Sequence, residues 1–291
     1  MPNEELWTVQ RTLAWCTEYL ERHGDEHPSR SAEWLMSNAT GMSRVELYAF
    51  YDKPLSMAER DVLRQTLRRR AAGEPLQYVT GEAAFRHIIV RTAPGVLIPR
   101  PETELLVELA IAHAKKAGLD EPRVLEVGCG TGCVALSLAR EAGARVTATD
   151  ISEQAVACAR RNADVLELSE QVEIVQTDCA AGVEGPFDML VSNPPYIPTG
   201  DIPGLDVSVR DYEPHMALDG GADGLDFYRA ITKNYRAVLK PGGFLCYEFG
   251  MGQGDAVCAI LEENGFTVLE RTLDYNERER AVLAQYGRKG I

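Results

Sequence analysis

The residues best suited to chemistry are Asn193-Pro194-Pro195-Tyr196. Asn193 carries a side-chain carbonyl acceptor, and Pro194 adds a backbone carbonyl on a stiff frame. Two acceptors held close together can grip both hydrogens of an –NH2 group. Tyr196 supplies a flat ring able to stack on the planar group that bears the nitrogen. The pattern suits a conjugated nitrogen, either an amide or the exocyclic amine of a base. A plain proline-rich turn after a strand would use the same residue types. All four residues are candidate substrate-binding groups, and Asn193, Pro194 and Tyr196 are the candidate catalytic ones. No neighbouring side chain reads as a general base.

The element that must position them is the apolar run Phe187–Ser192, which reads as a buried strand. Two successive prolines cannot continue a central strand, since each lacks the N–H and fixes φ. The strand therefore stops, and its carboxyl end opens into a rigid polar loop. In open α/β sheets, ligand chemistry sits outside such ends. From Arg123 onward, strand and helix patterns alternate, the mark of a parallel sheet. Strands are expected at 124–127, 145–149, Val172–Gln176, 187–192, 244–248, 266–270 and 280–285, and helices at 153–162, 224–239 and 255–264. Residues 197–223 are rich in Pro, Gly and Asp and read as a long functional loop or lid.

The turn Gly128-Cys129-Gly130-Thr131-Gly132 follows the first of these strands and opens a helix. A glycine turn in that place lets a ligand approach the backbone closely. Its spacing is tighter than that of a dinucleotide loop. Preceded by the acid Glu126, it resembles the S-adenosylmethionine loop of Rossmann-like methyltransferases. Asp150 ends the next strand about 20 residues on, where a carboxylate can accept from both ribose hydroxyls. By the same resemblance, Asp178 would accept from the adenine amine and Cys179 would donate its backbone N–H. The candidate cofactor residues are therefore Gly128, Cys129, Gly130, Thr131, Gly132, Asp150, Asp178, Cys179 and Asn193. The glycine turn and Asn193 should meet in one crevice, at the switch point of a doubly wound sheet.

Residues 1–80 read as a helical, substrate-docking domain, 81–104 as a linker with a hairpin, and 105–291 as the Rossmann-like domain. Leu6, Val9, Leu13, Cys16 and Leu20 mark one helix face. Ser43-x-x-Glu46 and Ser56-x-x-Glu59 are capping boxes of further helices. The run Arg68-Arg69-Arg70 at a helix end reads as solvated. Pro101 is placed to start the helix that runs through Leu105, Leu106, Leu109 and Ile111.

Composition narrows the class. A net charge of −14 argues against a broad nucleic-acid surface and permits a basic protein partner. No apolar run nears the length of a membrane span, and the start lacks the pattern of an export signal. Seven cysteines with no Cys-x-x-Cys pair read as reduced thiols of a cytoplasmic protein. Five histidines give no zinc spacing, so no metal is expected. A monomer is expected.

The turn at 128–132, Asp150 and Asn193-Pro194-Pro195-Tyr196 together resemble the amino-group methyltransferases. The stretch Ile98-Pro99-Arg100-Pro101-Glu102-Thr103-Glu104 is similar to that of the PrmC (HemK) family of protein-(glutamine N5) methyltransferases. So are Gly73-Glu74-Pro75-Leu76-Gln77-Tyr78, Ala217-Leu218-Asp219-Gly220-Gly221 and Leu239-Lys240-Pro241-Gly242-Gly243. The resemblance covers essentially the whole chain. It implies an α/β fold, a Rossmann-like S-adenosylmethionine-dependent sheet with a small N-terminal helical domain. It also implies a substrate, the glutamine of the Gly-Gly-Gln loop of class-1 peptide-chain release factors. Cys179 departs from the bulkier residue that the family often carries there. Two other readings stay open: a DNA adenine-N6 methyltransferase, which shares the –NH2 logic but needs a basic DNA-reading surface, and a cofactor-binding protein without turnover.

Overall fold

The computed structural model describes residues 6–287. The chain opens with helices α1 (Val9–Arg22), α2 (Pro28–Thr40), α3 (Arg44–Ala49), α4 (Met57–Ala71) and α5 (Leu76–Thr80). Then come β1 (Glu82–Phe85), β2 (Ile88–Arg91) and α6 (Thr103–Lys116). Strand and helix next alternate as β3 (Arg123–Val127), α7 (Cys133–Ala142), β4 (Arg145–Asp150) and α8 (Glu153–Val165). They are followed by β5 (Val172–Gln176), β6 (Phe187–Ser192), α9 (Val207–Arg210) and α10 (Asp226–Tyr235). The last elements are β7 (Leu239–Glu248), α11 (Gly254–Glu263), β8 (Phe266–Leu273) and β9 (Glu279–Tyr286).

The chain forms two units, one of residues up to Gly81 with Val207–Tyr212, the other of Glu82–Asp206 and the residues from Glu213 onward. The first is helical. Val9, Cys16 and Leu20 of α1 pack with Leu35 and Met36 of α2 and with Leu63 and Leu67 of α4. Both capping boxes form, each Ser side chain accepting from the Glu backbone and each Glu returning to the Ser backbone. Leu6 is 63% exposed and Leu13 half-buried, so the apolar face of α1 is narrower than its periodicity predicts. In the arginine run Arg68 and Arg69 are exposed, as expected, and Arg70 is half-buried. Arg70 donates to Asp25 at 2.7 Å, and Arg69 bonds Glu74 and the Tyr78 carbonyl. These are carbonyls and acids that the end of α4 leaves within reach of a guanidinium fork. The Tyr212 hydroxyl donates to the Ala72 carbonyl at 3.0 Å, fastening the segment of α9 to the end of α4.

The second unit is built on a seven-stranded sheet of order β5-β4-β3-β6-β7-β9-β8. Strands β5, β4, β3, β6 and β7 run parallel, while β9 pairs antiparallel with both β7 and β8. The chain winds outward from β3 to β5, then returns to β6, so the order reverses between β3 and β6. Alternation along each strand feeds two cores. Val124, Met189 and Cys246 face α6, α7 and α8, while Leu125, Leu190 and Tyr247 face α10 and α11. Phe85, Ile88 and Val90 of the hairpin join the first of these cores.

Three elements differ from the sequence reading. The helix expected at 224–239 ends at Tyr235 and passes through a 3₁₀ turn, Arg236–Val238, into β7. Strand β7 starts at Leu239, because Phe187 pairs with Leu239 and Met189 with Phe244, and Lys240-Pro241-Gly242-Gly243 bulges out between. Residues 197–223 carry structure: 3₁₀ turns Thr199–Gly204 and His215–Ala217, α9, and a parallel bridge between Ile197 and Asp219. No described helix is long and apolar enough to cross a membrane.

Candidate active site

The glycine turn is held from three sides. Glu126 lies on the α7 face of β3, buried, and its Oε2 accepts from the Ala135 N–H at 3.0 Å. Burial pushes its carboxyl well above the usual range. The N–H groups of Gly128 and Cys129 both donate to the Thr149 carbonyl, at 2.8 and 2.9 Å. Gly128, Gly130 and Gly132 have φ of 78°, 54° and 80°, the left-handed region that a side chain disfavours. From the far side, buried Asn162 of α8 donates to the Thr131 carbonyl at 2.8 Å. The same side chain takes the N–H of Arg91 at 2.7 Å and gives to its carbonyl at 3.0 Å. One amide thus ties the glycine turn to strand β2.

Asp150 ends β4 with both carboxylate oxygens held by backbone. Oδ2 accepts from Gly130 N–H and Oδ1 from Ser152 N–H, each at 2.9 Å. Burial raises its pKa against those hydrogen bonds, which lower it. Each oxygen keeps a further acceptor direction.

The second loop leaves β6, the neighbour of β3. The Ser192 hydroxyl donates to the Val127 carbonyl at 2.7 Å, joining the two strand ends. Asn193 is half-buried and its Nδ2 donates to Thr103 Oγ1, the first residue of α6, at 3.0 Å. No hydrogen bond reaches Asn193 Oδ1 among the described residues. Behind the loop the backbone is backed closely. A Cβ on Gly220 would sit 2.8 Å from the Pro195 carbonyl oxygen and 2.8 Å from Tyr196 Cα, so no larger residue fits. Gln253 Nε2 donates to the Tyr196 carbonyl at 2.8 Å. Nearby, buried Glu213 accepts from the Ile98 N–H at 3.1 Å and pairs with Arg100, tying the Ile98–Glu104 stretch to the segment after α9.

These elements enclose a cleft of about 270 Å³. Of the sequence-predicted residues, Gly128, Gly130, Asp150, Asp178, Cys179, Asn193, Pro194 and Pro195 line it. Cys129 and Thr131 do not; both are buried, 3% and 2% exposed, and shape the turn from within. Gly132 lies under α8, where a Cβ would press on Ala159 at 3.1 Å. Tyr196 also stands outside the lining. It packs against the core formed with α10 and α11, and burial raises its hydroxyl pKa. Cys179 has φ of 48°, and its thiol, pushed up to about 11 by burial, is hydrogen-bonded to Asp178.

The lining fits S-adenosylmethionine. A Cβ on Gly128 or Gly130 would meet nothing within 4 Å, so the turn presents bare backbone to open space. Asp150 offers two oriented oxygens for a diol. Ile151, 51% exposed beside it, joins Val96 and Leu97 as apolar wall for a flat ring. The sequence reading missed Val96 and Leu97, as well as Phe227 and Ile231 of α10, since apolar residues carry no local functional signal. Thr103 was within reach, sitting inside the quoted Pro-Glu-Thr-Glu stretch. No group of three or more His, Cys, Asp or Glu that could hold a metal lies among the described residues.

Comparison with known proteins gives the same picture. Residues 11–81 match the family described as PrmC N-terminal domain, and residues 91–202 match the methyltransferase small domain. A release factor glutamine methyltransferase of Geobacter sulfurreducens is 40% identical over 285 residues, 97% of this chain and 98% of the relative. One from Chlorobaculum tepidum is 39% identical, again over 97% and 98%. Among solved structures, a methyltransferase from Pyrococcus furiosus superposes with a TM-score of 0.52 at 20% identity, covering 68% of this chain and 89% of that one. That likeness concerns the fold. With identity near 40% along nearly the whole length, the chain belongs to the family of release factor glutamine methyltransferases.

Proposed function

We infer that this chain transfers a methyl group from S-adenosylmethionine to the side-chain amide nitrogen, N5, of the glutamine in the Gly-Gly-Gln loop of class-1 peptide-chain release factors. One observation carries the reading. The glycine turn with Asp150 and the Asn193 loop lie at adjacent strand ends in one cleft, in a chain whose full-length relatives bear that activity in their names.

The roles follow from the donors and acceptors present. Asp150 and the backbone of 128–132 hold the cofactor, with Asp178 and Cys179 at the far end of the same wall. When bound, the cofactor supplies an electrophilic methyl on a sulfonium. Asn193 Oδ1 and the Pro194 carbonyl accept the two N–H bonds of the substrate amide. Their grip aims the nitrogen and draws electron density toward it, which an amide needs because its lone pair is delocalised. Orientation of this kind can contribute roughly 7–11 kcal/mol. Once the nitrogen carries the methyl group, its excess proton passes to solvent water. The protein works in the cytoplasm, as a monomer, on a protein partner, without stable nucleic-acid binding. The charge of −14 supports that choice over DNA.

The test is label transfer from radiolabelled S-adenosylmethionine, offered separately to a purified release factor and to duplex DNA. Label is expected on the factor and lost when its Gly-Gly-Gln glutamine is replaced. Label on DNA alone would overturn the substrate assignment.

A further inference from the structure

Behind Asn193 lie two buried polar side chains that the chemistry above leaves unused. Thr103, 3% exposed, opens α6. Glu248, 1% exposed, ends β7. Thr103 Oγ1 accepts from Asn193 Nδ2 at 3.0 Å, and the Thr103 hydroxyl lies near enough to Glu248 to favour its charged form. The other carboxylate oxygen, Glu248 Oε2, is buried with no hydrogen-bond partner among the described residues. A buried carboxylate oxygen without a partner is costly and calls for an explanation.

A hydroxyl has one proton. Where the neighbouring Glu248 is an acceptor-only carboxylate it draws that proton, and Thr103 Oγ1 is then left to accept from Asn193. The two ends of the Asn193 amide are nearly the same size, so packing alone sorts them poorly. The hydroxyl sorts them by chemistry, nitrogen inward and oxygen outward. A reversed amide would set its –NH2 against the substrate –NH2, donor against donor. We propose that Thr103 and Glu248 are positioning residues, a two-step relay that holds the Asn193 amide oxygen toward the substrate. The proposal rests on the reading that Asn193 receives the substrate amide.

The relay depends on the charge of Glu248. Once protonated, Glu248 can donate to Thr103, whose own proton then turns to Asn193 and favours the reversed amide. The groups facing Glu248 are Arg100 and Glu102 ahead of α6, Arg280 of β9, Tyr196, Tyr228 of α10, and Cys133 of α7. The two arginines favour the carboxylate, whereas Glu102 and burial oppose it. Turnover should therefore fall on the acid side as Glu248 takes up its proton.

The experiment uses the full chain with Thr103→Val, Thr103→Ser and Glu248→Gln. Turnover and KM are measured on a release factor, cofactor affinity by calorimetry, and solvent exchange of the Asn193 side-chain –NH2 by NMR. The Thr103→Val change should lower kcat by roughly 10- to 100-fold, less than loss of the Asn193 acceptor itself, on the scale of one buried hydrogen bond. Cofactor affinity should stay as in the wild type, and the Asn193 –NH2 protons should exchange faster. Thr103→Ser should restore both, and Glu248→Gln should flatten the acid limb of the wild-type pH profile. Wild-type kcat and exchange in Thr103→Val overturn the relay, as does an unchanged acid limb in Glu248→Gln. If Thr103→Val does not fold, the Ser and Gln variants decide by the same readouts. If the wild type does not methylate the factor, the proposed function falls, and the exchange measurement alone then decides the relay.

Discussion

Asp150 is the residue whose replacement should most plainly separate cofactor binding from the rest of the site. Each of its oxygens already accepts one backbone N–H, from Gly130 and from Ser152, both at 2.9 Å. Two acceptor directions remain, enough for the two hydroxyls of a ribose. A hydrogen bond to a charged group is worth about 1.5–3 kcal/mol net, so Asp150→Ala removes at least about 3 kcal/mol. At 1.4 kcal/mol per tenfold, cofactor affinity should weaken by about 150-fold or more. In Asp150→Asn the new –NH2 must face one of the two backbone N–H groups, donor against donor. That variant keeps one good contact and should lose roughly 10- to 100-fold. Titration calorimetry with S-adenosylmethionine reads all three proteins. Burial raises the Asp150 pKa, so wild-type affinity should decline as the pH falls through that raised value, and the Asn variant should show no such decline. Asp150→Ala binding within about threefold of the wild type would refute the assignment.

Three further outcomes are expected. Asn193→Ala should keep most of its cofactor affinity and lose roughly 100- to 1,000-fold in kcat, measured by label transfer under saturating cofactor. Asn162→Ala strips three hydrogen bonds between the glycine turn, β2 and α8, and should destabilise the chain by about 2–4 kcal/mol, read by urea unfolding. Glu248 is pushed up to about 7 by burial, so the fold favours its protonated form by about 3 kcal/mol relative to the unfolded chain. That contribution is fully present below pH 4.5, where both states are protonated, and is lost as pH rises through 7. Glu248→Gln should therefore gain on the wild type between pH 5 and pH 8 in the same unfolding assay.

How legible the fold was depends on the range over which each element is determined. The carboxyl-end placement of the site was readable, since apolar runs ending at Gly128, Asp150 and Asn193 each put their chemistry there. The capping boxes at Ser43 and Ser56 were readable for the same local reason. Residues 197–223 were not. Their structure comes from partners distant in sequence: the Ile197 N–H bonds Leu218 and the Tyr212 hydroxyl bonds Ala72. Strand β7 began earlier than its Pro-Gly-Gly suggests, because Leu239 and Phe244 pair with Phe187 and Met189 on either side of the bulge. The setting of Tyr196 was not readable either: its type suits stacking, and the sequence does not show that its ring, partly buried, packs against the core formed with α10 and α11. The surroundings of Glu248 were also unreadable, since nothing in Phe244-Leu245-Cys246-Tyr247-Glu248 shows which residues it meets in space.

The most direct test of the central claim is peptide mass spectrometry of a release factor incubated with the enzyme and S-adenosylmethionine. One added methyl group on the side chain of the Gly-Gly-Gln glutamine, absent with Asn193→Ala enzyme that still binds cofactor, is the predicted result. A methyl group found on another residue, or the same methylation by the Asn193→Ala enzyme at the wild-type rate, would contradict it.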